Sequence, residues 1–162
     1  MALTMSQDLL LEDLRRILDR QGTTDPACDT VLEKVLEAFE CQVGTIHSLD
    51  PDTGMLKLRA RRGIPDIILD KVRMIPIGKG MAGLAAERRQ AVQVCNLQSD
   101  ESGVAKPGAK TTEMEGSVAA PMIFEERLRG TLGIAKPVAY EFTKEELDAL
   151  MAIGSLMASY LK

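Results

Sequence analysis

Few side chains in this sequence are equipped for chemistry, and their types and spacing restrict what that chemistry could be. Its 162 residues hold three cysteines, Cys28, Cys41 and Cys95, and a single histidine, His47. An odd number of thiols without CxxC spacing fits neither a disulfide framework nor a zinc site, so reduced thiols in a cytoplasm are expected. One histidine makes a multi-histidine metal centre or a serine-type triad depend on that residue being exposed and well placed. His47 falls inside a strand-like run, where a packed or surface histidine is expected rather than a ligand.

The remaining candidate is a glycine loop, Gly78-Lys-Gly80-Met-Ala-Gly83, which carries the letters of the dinucleotide fingerprint between a strand-like run and a helix. Its context departs from that fold. The next strand ends in Cys95-Asn96 rather than an acidic residue, the flanking runs read as antiparallel hairpins, and the Gly-Lys-Ser/Thr ending of a phosphate loop is absent. What the glycines do supply is a sharp turn and close backbone approach, followed by a helix whose first N–H groups are free for an anionic or carbonyl-bearing ligand. An equally good account is that Gly80 and Gly83 only let the helix pack tightly on the sheet.

Several elements would have to position such a loop. Ser6 caps a first helix with Leu10, Leu14, Ile17 and Leu18 at helical spacing and Gly22 as its stop. Asp25-Pro26 starts a second, with Cys28, Val31, Leu32, Val35, Leu36 and Phe39 as its buried stripe, so Cys28 reads as core. Two strands, 42–49 and 55–62, flank the turn formers Asp50-Pro-Asp-Thr-Gly54. A helical turn at 66–71 and a strand at 72–77 lead into the glycine loop, a helix over 81–89 and a short strand, Ala91-Val-Gln-Val-Cys95. The polar stretch Leu97–Glu115 is long for a compact domain and reads as a lid. Ser117–Phe124 and Thr131–Ala135 read as a hairpin at the centre of a sheet, joined by a charged turn. A capping box, Thr143 with Glu146, and a staple of Phe142 with Leu147 open the last helix.

Composition narrows the function classes. A hydrophobic content of 45% suits one globular domain, and a net charge of −4 argues against nucleic acid. The local exception is Lys57, Arg59, Arg61 and Arg62, where alternation puts the first three on one solvated strand face. No run spans a bilayer, and Asp8 and Glu12 do not suit a signal peptide, so neither a membrane nor export is expected.

Taken in order, the strand, Gly78-Lys-Gly80-Met-Ala-Gly83, the helix, Val92-Gln-Val-Cys95, the long loop, Ser117-Val-Ala-Ala-Pro121-Met and Gly130-Thr-Leu-Gly133-Ile resemble a GAF domain. Asp50–Gly54 and Arg62-Gly63-Ile-Pro65 sit where that family has its first hairpin turn and the end of its second strand. The resemblance covers about residues 25–162, with 1–24 as an added amphipathic helix. It implies an α+β fold: a central antiparallel sheet of about six strands, terminal helices on one face and a ligand pocket on the other. GAF domains bind cyclic nucleotides, tetrapyrroles, haem, amino acids, 2-oxoglutarate or other small effectors, and often act as dimerising signalling inputs. Fold alone does not choose among these.

Subtypes of the family can be compared residue by residue. Asn96 is followed by Leu97, where cyclic-nucleotide binders have Asn-Lys, and Asp100-Glu101 lack that class's framework. No Cys-His pair is present for a covalent bilin. Free methionine-(R)-sulfoxide reductases of the family carry cysteines in the glycine loop and the lid; here the loop has Ala82, and Leu97–Glu115 contains none. Thiolate attack and resolution need neighbouring accessible thiols, and Cys95 alone lies near the expected pocket.

The resulting expectation is a non-catalytic, cytoplasmic sensor whose pocket is lined by Lys79, Gly80, Met81, Ala82, Cys95, Met114, Ser117 and Ala119. Its effector is unnamed, with haem or a small metabolite both open. The rival reading is a ligand-free scaffold. Either predicts a homodimer through the terminal helices, because the apolar positions of 10–18 and 147–161 exceed what one sheet face needs.

Overall fold

The computed structural model describes residues 6–100, 102 and 112–161. In chain order they form helices α1 (Gln7–Gln21) and α2 (Asp25–Phe39), strands β1 (Val43–Leu49) and β2 (Leu56–Arg62), and helix α3 (Asp66–Arg73). Strand β3 (Met74–Ile75), helix α4 (Gly80–Arg88), strands β4 (Val92–Val94), β5 (Gly116–Phe124) and β6 (Arg127–Lys136), and helix α5 (Lys144–Tyr160) follow. The six strands make one sheet in the order β3-β2-β1-β6-β5-β4, every neighbouring pair antiparallel. This is the α+β architecture that the resemblance implies.

Local signals set the helix ends as expected. Ser6 Oγ accepts from Leu9 N–H, Thr24 Oγ1 from Ala27 N–H, and Thr143 and Glu146 complete the capping box. The apolar stripes of α1, α2 and α5 all face inward. Leu10, Leu14 and Leu18 are buried with Val31, Leu32 and Phe39 of α2 and with Leu150, Ile153 and Met157 of α5, over Ile46, Val118, Met122, Leu132 and Ile134 of the sheet. Much of the apolar excess of the terminal helices is thus used within the chain.

The sheet's two faces differ in bulk. On the helix face, Gly44 is crowded by Leu32 and Leu36, and Gly154 of α5 meets Pro121 O, so helix and strand approach at glycine distance. Val118, Ala120 and Met122 of β5 and Leu132 and Ile134 of β6 fill the rest. On the opposite face the alternate positions of the same strands are Ser117, Ala119 and Pro121, and Thr131, Gly133 and Ala135. Small residues there leave space that α3, α4 and their connections roof over.

Three expectations needed correction. The strand expected over 72–77 is two residues long, because α3 continues through Arg73 and Pro76, lacking an N–H, cannot extend the ladder. β6 begins at Arg127, not Thr131: Glu125 and Glu126, with φ of 52° and 64°, make a two-residue hairpin turn of the kind whose twist matches the strands. Lys57, Arg59 and Arg61 do not share a face. Ile46 pairs with Ala60 but His47 with Leu58, so a bulge in β2 absorbs one residue and reverses the alternation beyond it. Arg59 then binds Asp25 (2.9 Å) and Thr23 O at the helix layer, while Arg61 turns to Ile64 O and Asp66 (3.2 Å) on the other side.

Candidate functional site

Between the small-residue face of the sheet and its roof lies a cavity of about 210 Å³. Its floor is β1, β5 and β6, presenting Thr45, His47, Ser117, Ala119, Gly133 and Ala135. One wall is α3 with Ile68, Lys71 and Val72, continued by Ile75 and Pro76. The opposite wall is the start of α4, Lys79, Gly80, Met81 and Ala82, and the mouth is bordered by Leu97 and Thr112 at the two ends of the lid stretch. No carboxylate side chain occurs among the described lining residues.

The glycine loop does both of the things its sequence allows. Gly78 and Gly80 hold φ of 89° and 67°, which bend the chain from β3 into α4. Gly83 is a packing glycine, because a Cβ there would stand 2.5 Å from Pro76 O. The turn closes with Gly78 N–H donating to Gly83 O at 2.8 Å. Helix α4 starts without a side-chain cap or an acid in its first turn, and its first residues line the cavity, while the Glu87 carboxylate lies against Gly78 in the preceding turn. The antiparallel wiring on both sides of this unit departs from a dinucleotide βαβ frame.

Of the expected pocket residues, Lys79, Gly80, Met81, Ala82, Ser117 and Ala119 are brought together around the cavity. Met114 and Cys95 are not. Met114 is buried beneath the mouth against Val43, Val94, Leu97 and Ala135, filling core. Cys95 lies just past β4; Val92 and Val94 take the inward positions, and the thiol is exposed. The other two thiols are on the helix side of the sheet and buried. Burial pushes the Cys28 thiol up and raises Cys41 to about 12, so both stay protonated and inert. The lid expectation, Leu97–Glu115, falls partly outside the described residues. Its described ends are tied together, with Leu97 N–H donating to Glu115 O at 2.7 Å and Gln98 Nε2 to Met114 O at 2.8 Å.

Sequence reasoning passed over His47. It sits on the floor at 1% exposure, and its Nε2 lies 2.7 Å from Val72 O, which can only accept. The proton is therefore on Nε2, and Nδ1 is left as a bare acceptor with no partner among the described residues. Burial holds the ring's pKa below its ordinary value, against the opposing effect of the bond to Val72 O, so the ring is neutral. Directly across the ladder Thr131, also 1% exposed, holds a second unpartnered polar atom, Oγ1. Unsatisfied buried polar atoms are rare enough to require a reason.

Among the described residues no group of three or more His, Cys, Asp or Glu side chains could hold a metal, and no helix is long and apolar enough to cross a membrane. Comparison of the sequence with curated proteins returns no match. The fold has many solved counterparts. The GAF domain of a phosphoenolpyruvate-protein phosphotransferase from Coxiella burnetii superposes with a TM-score of 0.76 at 20% identity, over 96% of this chain and 94% of that one. Free methionine-R-sulfoxide reductase from Neisseria meningitidis, solved with its substrate, gives 0.76 at 15% identity over 95% and 87%. The A. aeolicus nlh2 GAF domain in an inactive state gives 0.72 at 19% over 95% and 94%. At such identities the likeness concerns fold. The GAF domain family model matches residues 23–162, and the chain belongs to the GAF domain family.

Proposed function

We propose that this protein is a small-molecule-binding GAF module that senses an effector in the cavity between the sheet and α3–α4, without catalysing a reaction. The observation that carries this reading is the cavity's polar inventory: an uncapped helix start, a buried, unpartnered imidazole nitrogen, the hydroxyls of Thr45, Thr112 and Ser117 and two lysines at the rim, set in mostly apolar walls. Few, convergent polar groups in an apolar cleft are what a ligand site needs. Similar folds include both a GAF protein described as a sensor and reductases, so the fold does not decide between them. Thiol placement favours binding, since Cys28 and Cys41 are buried behind the sheet and Cys95 stands outside the cavity. Effector binding would be passed through β5 to α5, which pack closely at Gly154.

The test is a thermal-shift screen of small metabolites, in which a ligand selective for the folded state raises the melting temperature by mass action. A uniformly flat response over a broad panel would favour the scaffold reading. A homodimer through α1 and α5 accompanies the sensor reading; Leu9 is exposed and Leu11, Ile17, Leu156 and Tyr160 are half-buried, which leaves a modest apolar surface for a second copy. Sedimentation equilibrium measures it directly, and a monomer at high micromolar concentration would remove it.

A further inference from the structure

The geometry points to a specific chemical class of effector: a small organic carboxylate with an apolar body of about one aromatic ring and a hydroxyl, or other single hydrogen-bond donor, at its far end. This rests on the sensor reading of the same cavity. Three independent features define the class.

Size comes first. A dry apolar cavity of about 150 Å³ takes up benzene. The 210 Å³ here therefore suits a ring with one or two small substituents, and falls below the roughly 300–1,000 Å³ of sites for drug-sized ligands. The walls that would contact the ring are apolar: Val43, Ile64, Ile68, Ile75 and Leu97.

Charge is the second feature. Glu87 sets its carboxylate against Gly78 of the loop, but the first residues of α4 line the cavity without a side-chain cap, Lys79 and Lys71 lie at the rim, and no acidic side chain is among the described lining residues. The helix start and the lysines favour an anion, and the forked, planar carboxylate can take amide N–H groups on both oxygens. An ammonium group would find no carboxylate there, which disfavours free amines and amino acids.

The third feature is His47. Its tautomer is set by Val72 O, so Nδ1 can only accept. The complementary ligand group is a donor. In the empty protein this nitrogen is closed off from water, so the assignment requires the ring to tilt toward the cavity about the Nε2–H···O bond when the hydroxyl binds. That contact relieves an acceptor whose unsatisfied burial costs about 1–3 kcal/mol. The start of α4 and the His47 residue border the cavity from its wall and its floor, so a ligand that draws Nδ1 into contact bridges them with its ring between.

The test uses 4-hydroxyphenylacetate with its two single-deletion analogues, phenylacetate, which lacks the hydroxyl, and p-cresol, which lacks the carboxylate. Calorimetric titration of the full chain should give about tenfold tighter binding for 4-hydroxyphenylacetate than for either analogue. In His47→Phe the hydroxyl advantage should vanish, with 4-hydroxyphenylacetate binding no more tightly than phenylacetate to the same variant. Because that variant also loses the bond to Val72 O and could misfold, a second readout uses the unaltered protein. With His47 the only histidine, 15N-histidine labelling gives one imidazole pair of signals. The Nδ1 resonance of the neutral ring should move upfield with 4-hydroxyphenylacetate and stay in place with phenylacetate. Equal affinities for all three compounds, no binding by any of them, or an unmoved Nδ1 signal would each overturn the assignment. The sensor reading would survive any of these if another metabolite raised the melting temperature, so the two can fail separately.

Discussion

Two glycines, one on each side of the same ladder, test whether the cavity face is open. Gly133 on β6 looks into the cavity; a Cβ built there would stand 3.5 Å from Thr45 Oγ1 and 3.8 Å from Val118 O, which is ordinary contact distance. Gly44 on β1 looks the other way, and its Cβ would come within 2.9 Å of Gly133 O, Leu32 Cδ1 and Leu36 Cδ2. For Gly133→Ala, the buried methyl contributes about 0.8 kcal/mol. Restricting the unfolded chain adds about 0.4–1 kcal/mol. The sum, about 1.5 kcal/mol of stabilisation, corresponds to roughly 3–6 °C in Tm for a domain of this length. Gly44→Ala gains the same unfolded-state term but must displace a strand carbonyl and two packed leucines, at about 1–3 kcal/mol. Its net effect is a loss of about 1 kcal/mol and a Tm lower by roughly 2–4 °C. Thermal denaturation followed by circular dichroism at one pH reads both. The methyl added by Gly133→Ala also takes volume from the cavity, so ligand-induced rises in Tm should shrink in that variant alone. If Gly133→Ala destabilises as much as Gly44→Ala, the space over β6 is filled and the site argued above does not exist.

Lys136 is buried with Nζ donating to Phe39 O and to Glu40 O (3.2 Å), tying off the end of α2, and lies 4.8 Å from the Tyr140 ring. Lys136→Met should therefore cost about 2–3 kcal/mol in urea denaturation, since charged hydrogen bonds of this kind contribute about 1.5–3 kcal/mol; a loss under about 0.5 kcal/mol would refute it. His47 gives a signed pH dependence. Its native pKa lies below the ordinary 6.5, so the unfolded chain binds more protons between the two values. The stability tied to the neutral ring is complete above about pH 6.5 and is lost as pH falls through the native value. The stability difference between the natural protein and His47→Phe should be flat above neutrality and move against the natural protein on acidification; a difference flat down to about pH 5 would contradict the burial argument. Ellman's reagent should titrate Cys95 alone in the native protein and all three thiols after unfolding; rapid native reaction of a second thiol would refute the placement of Cys28 and Cys41.

Local codes were the most legible part of the sequence. Ser6, the Asp25-Pro26 start and the Thr143–Glu146 capping box each depend on residues within a turn of one another, and each formed as read; the β5–β6 hairpin formed too, with a tighter turn than expected. What failed depended on partners far along the chain. The β2 bulge exists because register with β1 has to shift by one residue between Ile46 and His47, and nothing in Lys57–Arg62 announces it. Cys95 was placed at the cavity by proximity in sequence, yet the strand's period of two had already assigned Val92 and Val94 to the inside. His47 was weighed as an isolated residue type. Its significance comes from Val72, which is 25 positions away and fixes the tautomer.

The cavity itself is written in a pattern that hydropathy does not see. In β5 the run Ser117-Val-Ala-Ala-Pro-Met122 and in β6 the run Thr131-Leu-Gly-Ile134 read as continuous apolar strands, as expected for strands covered on both faces. Sorted by face, bulk sides with Val118, Met122, Leu132 and Ile134, which pack against α2 and α5, while Ser117, Ala119, Thr131 and Gly133 take the other face. The dense face accounts for folding, because it joins all three large helices to the sheet in one core. The sparse face forgoes packing that larger side chains at Ala119 and Gly133 could supply, and buries His47 Nδ1 and Thr131 Oγ1 without partners. Both choices lower the stability of the empty protein. A ligand that restores the missing contacts and the missing hydrogen bond recovers that free energy only in the bound state, and on the proposed function this difference between empty and bound states is the free energy available for a response.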